Sequence, residues 1–185
     1  MRKPLVVIYA LFASIAFFPN FRSFAGNHEP ENCGNSLMEQ TLNENLMILK
    51  PMLCKNWIGD MKSPDGKQTF KVSLSYEAIW NGEAIKFSRS IPERNGFSEG
   101  YFYWDVNEKK IISLSISNRG GAMKAEVSIE DGKITLKGVA TIQNRTFDYK
   151  NTFEFSSDGK MIDRWFQNAS GQWSPGHVIE FVKND

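Results

Sequence analysis

The chain has 185 residues, with 22 Lys and Arg against 21 Asp and Glu and a formal net charge of +1. This near balance, without a long basic run, argues against a nucleic-acid or anionic-membrane partner. The two cysteines and two histidines are too few for the usual zinc ligand sets if the cysteines pair with each other.

The first 25 residues have the pattern of a secretory signal peptide. Arg2 and Lys3 precede an uncharged apolar run over residues 5–18, and Ser-Phe-Ala at 23–25 marks the expected cleavage site. The alternative is a membrane-spanning anchor, but the apolar run over residues 5–18 is shorter than the roughly 20 residues that a span needs. We therefore expect export to the periplasm or the extracellular space, with no membrane span left after cleavage.

Removal of this leader leaves one domain of ordinary size. The leader holds three basic and no acidic residues, so the remaining chain has 19 basic against 21 acidic residues and a net charge of −2. Residues 26–35 are polar and predict a flexible N-terminus. Residues 36–185 are expected to form a single β-barrel domain with an N-terminal helix.

Cys33 and Cys54 form either a disulfide or two free thiols. An exported chain favours the bridge. It would close a loop of about 20 residues, worth about 3 kcal/mol in the chain-entropy model. It would also tie the N-terminal segment to the start of the first strand.

A short amphipathic α-helix is predicted before that strand. Ser36 is a candidate N-cap, with Glu39 as its partner in a capping box. Leucines and a methionine recur at roughly helical spacing over residues 37–49. Pro51 is expected to end the helix at or before Lys50.

After Trp57, turn-forming sequences recur about every ten residues, and several contain Asn-Gly or Asp-Gly pairs. Nine short turns join about ten strands, each paired with its neighbour in sequence. Such an antiparallel meander has two open edges unless it curls until they meet. We therefore predict an all-β, up-and-down barrel of about ten strands. The alternative is a sandwich of two sheets, which usually needs long crossing connections.

The predicted strands alternate apolar and polar residues, as half-buried strands do. The apolar set of each strand is expected to face the interior. In the fifth strand the apolar and polar sets are Ile112, Leu114 and Ile116 against Ser113, Ser115 and Ser117. In the eighth strand Asn151 interrupts a row of aromatic residues.

The sequence Asn-Trp-Ile-Gly at 56–59 resembles the start of the first strand in calycin barrels, which include lipocalins, fatty-acid-binding proteins and nitrobindins. Those proteins begin with Gly-x-Trp, whereas Lys55 stands at the first glycine position here. The helix before Trp57, the Asp-Gly turns and Trp173 near the end are similar to a bacterial family named only as domain of unknown function 1579. The likeness covers residues 46–182, and that family has no known activity to carry over.

The resemblance implies a structural role for the first strand. In calycins its tryptophan packs across the closed end of the barrel, so Trp57 is expected to plug that end; the alternative is a ligand-lining residue. Gly59 would then allow another backbone to approach closely.

Five residues are candidates to bind a ligand inside the barrel. Arg89 shares a face with Phe87, and an interior arginine can clamp a carboxylate, as in fatty-acid-binding proteins. Arg164 has a similar claim, and Tyr76 lies on the apolar face of its own strand. His177 has the parity of Ile179 and Phe181, and nitrobindin-like barrels hold haem through such a histidine. The alternatives are outward positions for the arginines and a solvated rim position for His177.

Three functions remain open. The first is an exported lipocalin-like barrel that binds a small, largely apolar molecule or lipid, with or without a carboxylate, and needs no cofactor. The second uses His177, for haem or as a base in an enzyme, although no nucleophile elbow is present. The third is a packed barrel that acts as a structural or interaction domain. The sequence does not predict the ligand or the oligomeric state.

Overall fold

The computed structural model describes residues 42–53, 56–168 and 171–184. The predicted signal peptide, the segment 26–35, Cys33 and Cys54 lie outside these residues. Within them the chain is all-β apart from short 3-10 helices at Glu44–Met52, Trp80–Gly82 and Pro92–Arg94. No helix among the described residues is long and apolar enough to cross a membrane.

Ten antiparallel strands follow one another along the chain. They are β1 (Asn56–Lys62), β2 (Thr69–Ile79), β3 (Ala84–Ile91), β4 (Gly96–Asp105), β5 (Lys110–Ser117), β6 (Ala122–Glu130), β7 (Lys133–Ile142), β8 (Arg145–Phe155), β9 (Met161–Asn168) and β10 (Trp173–Asn184). Each strand pairs with its neighbour in sequence, as expected from the short turns between them.

The sheet closes on itself through β1 and β10, which pair antiparallel from Asn56 opposite Asn184 to Gly59 opposite Phe181. The predicted closed barrel of ten strands is therefore confirmed, and the sandwich alternative is wrong. Closure gives every strand two hydrogen-bonded neighbours, so the barrel has no open edge.

The turn chemistry explains the tight hairpins. Asp131 and Gly132 have φ values of 50° and 73°, and they link the paired residues Glu130 and Lys133. This left-handed pair matches a two-residue type I′ turn, whose twist suits the flanking strands. A second such link, Gln143-Asn144, has φ values of 50° and 62° and joins β7 to β8.

The helix before β1 differs from the predicted one. It is a 3-10 helix rather than an α-helix, it is capped by Asn43, and it continues through Pro51. The Leu53 N–H donates to Lys50 O at 3.1 Å, so Pro51 lies inside a tight final turn of the helix. Because proline has no backbone N–H, the hydrogen bond that another residue could donate there is missing. Ser36 and Glu39 lie outside the described residues.

This helix and Trp57 close one end of the barrel, which we call the closed end. The helix buries Leu46, Leu49 and Met52 completely, and Trp57 is equally inaccessible. The Trp57 indole donates to Met52 O at 3.2 Å, and its ring lies 6.0 Å from that of Phe155. Trp57 thus has the position expected of the first-strand tryptophan.

Gly59 lies in the pairing of β1 with β10, directly opposite Phe181. A Cβ atom there would be 2.6 Å from Ile179 Cγ2 and 2.7 Å from Glu180 O, well inside contact distance. The absence of a side chain therefore allows the closing strand pair to form without displacing the core.

We expect Gly59→Ala to lower the free energy of unfolding by about 1–3 kcal/mol, because the added methyl group overpacks this junction. Gly96→Ala is the matched control, since its Cβ would make only an ordinary contact of 3.6 Å with Ile91. Urea unfolding of both variants measures the difference. Equal stabilities for the two variants would show that the junction tolerates a side chain.

Candidate functional site

The barrel encloses a cavity of about 420 Å³. The cavity extends to the end opposite Trp57, where Arg94, Phe97 and Arg119 line it and remain solvent-exposed. We call this end the mouth; it is formed by the turns that follow β3, β5 and β7. The interior is therefore hollow between the closed end and the mouth.

Aromatic side chains form much of the cavity wall. The rings of Phe87 and Phe102 lie 4.9 Å apart, and Tyr76 lies beside both. On the other side Tyr149 stacks on Trp165 at 4.6 Å with an interplanar angle of 15°. Such a wall offers a large apolar contact surface to a bound molecule.

A charged cluster lies within this apolar wall. The Asp163 carboxylate oxygen Oδ2 is 3.4 Å from His177 Nε2 and 4.0 Å from an Arg89 Nη1 atom. The Asp163 side chain is 2% exposed, whereas those of Arg89 and His177 are 23% and 19% exposed. Asp163 is thus the buried counter-charge behind two cationic or hydrogen-bonding groups that remain partly accessible.

Three separate strands supply this cluster. Arg89 follows Ile85 and Phe87 on the inner face of β3, and Asp163 lies on the inner face of β9. The pairing of β10 with β9 is irregular between Pro175 and Val178, and His177 lies within this bulge. The His177 ring stacks on Trp165 with centroids 6.1 Å apart, which fixes its orientation in the cavity.

The cluster determines the charge of Asp163. Burial alone would raise the pKa of this carboxyl group, but the hydrogen bond from His177 and the positive charges of His177 and Arg89 outweigh it, with a smaller contribution from the Asn151 amide. The pKa of Asp163 is therefore below its usual value, and the group is ionised at neutral pH.

Two buried polar atoms of the cluster have no hydrogen-bond partner among the described residues. They are Nε of Arg89 and Oδ1 of Asp163. The Arg89 guanidinium also makes a weak contact, from Nη2 to Met61 Sδ at 3.9 Å. A partly buried guanidinium with so few partners is unusual, because each buried unmet donor costs free energy.

Burial keeps the nearby phenols neutral. Desolvation, followed by the negative charge of Asp163, raises the pKa of Tyr76 far above its usual value, and the charge of Arg89 offsets this only in part. Desolvation alone raises the pKa of Tyr149. Both phenols therefore keep their hydroxyl proton and remain available as hydrogen-bond donors.

Four of the five predicted ligand-binding residues line the cavity: Tyr76, Phe87, Arg89 and His177. Arg164 does not. Its guanidinium donates to Glu154 at 2.9 Å, and Glu154 also pairs with Lys133 at 3.4 Å, on the outer surface. The interior position expected for Arg164 is wrong because Met161 and Asp163 begin the inward set of β9, which leaves residue 164 outside.

The fifth strand also differs from its predicted orientation. Ser113, Ser115 and Ser117 line the cavity, whereas Leu114 faces outward and is 38% exposed; Ile116, near the mouth, borders the cavity but is 69% exposed. Pairing with β4 fixes this register, with Ser113 opposite the inward Phe102. Alternation separates the two faces of a strand but does not identify the inner one, and here the neighbouring strand decides it.

Sequence reasoning missed Asp163 and the serine face of β5. The pattern around Asp163 held an indication, since Met161, Asp163 and Trp165 alternate with the equally apolar Ile162 and Phe166. With apolar residues on both faces, periodicity could not select the inward set. No group of three or more His, Cys, Asp or Glu suited to a metal ion occurs among the described residues.

Comparisons with known proteins support the fold alone. No family model and no curated protein matches the chain. The crystal structure of Rv2717c from M. tuberculosis is similar to this structure, with a TM-score of 0.53 and 13% sequence identity. The match covers 78% of this chain and 100% of that one. A likeness at this identity supports the barrel architecture and carries no activity.

We expect Asp163→Asn to lower the free energy of unfolding at pH 7 by about 2–3 kcal/mol, because it removes the counter-charge of Arg89 and His177. The lowered pKa means that the ionised carboxylate stabilises the fold above the unfolded-state pKa of about 3.9. This contribution is lost as the pH falls through the folded-state value. The difference between wild type and variant should therefore shrink toward pH 3.

Urea unfolding at pH 7 and pH 3 measures this difference. Asp148→Asn is the control, since Asp148 is exposed on β8 and its replacement should have little effect at either pH. A deficit of the Asp163 variant that is the same at both pH values would contradict the role of its charge.

Proposed function

We propose that this chain is an exported lipocalin-like barrel that binds a small, largely apolar molecule with one anionic group, held by Arg89. The observation that carries the proposal is the incompletely paired guanidinium of Arg89 inside an apolar cavity. Its Nε has no hydrogen-bond partner among the described residues, and its carboxylate neighbour is 4.0 Å away.

A ligand carboxylate would complete the coordination of Arg89. The guanidinium presents parallel N–H donors that match two carboxylate oxygens, and the contact is strong where water is excluded. Asp163 cannot serve both Arg89 and His177 closely, since its Oδ2 atom lies nearest to both of them. The Arg89 side chain lines the cavity and is 23% exposed, so part of it is accessible to a ligand in the cavity.

The charges around the mouth favour an anion as well. Arg94 and Arg119 line the cavity there, and neither forms an ion pair among the described residues; Arg94 lies over the Phe70 ring at 5.1 Å. Asp163 is the single acidic residue among the described residues that line the cavity. A mouth of this charge attracts anionic ligands over neutral ones.

The remaining wall suits an apolar ligand body. A cavity of about 420 Å³ lies in the range of small-molecule sites, which combine apolar walls with a few polar groups. The aromatic rings of Phe87, Phe102 and Trp165 supply that surface. A packed structural barrel would not leave such a volume unfilled.

The calycin-like and exported parts of the proposal rest on the sequence. The first 25 residues support export to the periplasm or beyond. The Trp-x-Gly sequence in β1, with Trp57 at the closed end, supports a calycin-like ancestry and a likeness to domain of unknown function 1579. Neither inference is needed for the role of Arg89.

The test compares dodecanoate with dodecanol by isothermal titration calorimetry on the mature chain. We expect dodecanoate to bind more tightly. Arg89→Met should weaken dodecanoate binding at least tenfold, as expected for a charged hydrogen bond worth about 1.5–3 kcal/mol, and leave dodecanol unchanged. Arg164→Met is the matched control, because Arg164 lies outside the cavity. Equal binding of acid and alcohol, or no effect of Arg89→Met, would refute the proposal.

A second candidate function is haem binding through His177. One feature of the cluster fits a haem-binding histidine. Asp163 lies against one ring nitrogen of His177, and a carboxylate in this position is a usual partner of a metal-ligating histidine. His177 would hold the iron, and the haem would supply redox or gas-binding chemistry.

The anionic-ligand proposal and the haem alternative differ in their optical spectra. If the ligand is a largely apolar anion, haem added to the mature chain should remain unbound and show the spectrum of free haem. A shifted Soret band that is lost in His177→Ala and kept in Arg164→Met would instead favour haem.

A further inference from the structure

The cavity has a polar wall opposite part of its aromatic surface. It consists of four serines on the inner faces of β4 and β5, namely Ser98, Ser113, Ser115 and Ser117, which all line the cavity. We call this group the serine wall. Ser98 lies directly opposite Ser117, and residues 113, 115 and 117 run in a line toward the mouth.

β5 turns the less apolar of its two faces toward the cavity. Leu114 faces outward and is 38% exposed, and Ile116 borders the cavity but is 69% exposed, while Ser113, Ser115 and Ser117 line the cavity. The opposite orientation would turn Leu114 inward and the serines outward, and it would expose only Ile111 among the large side chains now buried on the inner face. A sequence that departs from the favoured pattern in this way often marks a functional surface.

The register of β5 is fixed on both sides. Ser113 lies opposite Phe102 of β4 and Ala125 of β6, and both of those residues are buried. A slip of one residue would turn every side chain of β5 to the other face. The serines therefore face the cavity as a consequence of the whole sheet, not of a local distortion.

The serine hydroxyls are largely unused. The Ser117 Oγ accepts the Gly121 N–H at 3.1 Å. The hydroxyls of Ser98, Ser113 and Ser115 have no hydrogen-bond partner among the described residues. Ser113 is 3% exposed, so its polar group faces the cavity and not bulk solvent. Each of these hydroxyls can both donate and accept a hydrogen bond.

We propose that the ligand of this cavity is an acid with hydroxyl or carbonyl groups along one edge, and that the serine wall recognises them. The inference rests on the proposed function, which supplies the acid at Arg89, and adds the chemistry of the ligand body. Alternate residues of a strand lie about 6.6 Å apart, so three serines offer hydrogen bonds along about 13 Å. The opposite face of such a ligand packs on the aromatic rings.

The test compares dodecanoate with its monohydroxylated forms, 3-hydroxydodecanoate, 8-hydroxydodecanoate and 12-hydroxydodecanoate, by calorimetry on the mature chain. We expect at least one hydroxy acid to bind about three- to tenfold more tightly than dodecanoate, which is the gain from one net hydrogen bond. Ser113→Ala combined with Ser115→Ala should abolish this preference, so that the hydroxy acid and dodecanoate bind the variant equally tightly.

Ser73→Ala is the matched control, since Ser73 is an exposed strand serine on the outer face of β2. Thermal unfolding gives a second readout. A purely structural role for the serines predicts a lower melting temperature in the double variant. A ligand-binding role predicts an unchanged or higher one, because two unpaired hydroxyls are removed from the interior.

The results separate a failure of the serine wall from a failure of the proposed anion site at Arg89. Dodecanoate binding without any preference for a hydroxy acid overturns the serine wall and keeps the proposed function. A preference that survives Ser113→Ala with Ser115→Ala also overturns it. If none of the four acids binds, the proposed function fails, and the inference fails with it.

Discussion

The pairing of β1 with β10 is the contact on which the other features of this molecule depend. Alternate side chains of every strand point to the same side of the sheet, and closure makes that side an interior. Gly59 allows the two terminal strands to approach, and the helix at Glu44–Met52 covers the end that they leave open. The cavity, its charged cluster and its mouth exist because the sheet has no free edge.

Asp163 has a corresponding role inside the cavity. A single ionised carboxylate in an apolar interior is costly unless it is paired, and Arg89 and His177 both turn toward it. Because one oxygen lies nearest to both partners, neither pair is complete. The same arrangement that makes the buried charge tolerable therefore leaves Arg89 incompletely paired, and the proposed binding of an anion rests on this incomplete pairing.

The barrel could be predicted from the sequence because each hairpin is specified by the short turn sequence between its two strands. Asp-Gly and Asn-Gly turns define hairpins, and hairpins in unbroken succession define an up-and-down sheet. The apolar neighbours Ile85 and Phe87 favoured an inward position for Arg89 over the outward alternative, and Arg89 lines the cavity. Arg164 and the serines of β5 were placed wrongly because both faces of β5 and β9 contain residues fit for burial. There the inner face depends on the pairing with neighbouring strands, which no single strand encodes.

The two ends of the barrel differ in how completely their side chains are buried. Leu46, Leu49, Met52 and Trp57 are buried completely at the closed end, where packing stabilises the fold. Toward the mouth the cavity is lined by serines and arginines together with Phe97 and Ile116, which are 46% and 69% exposed. A mouth built in this way gains little from its own burial. A ligand that fills it supplies contacts which the chain lacks there, so binding and the stability of the mouth are thermodynamically linked.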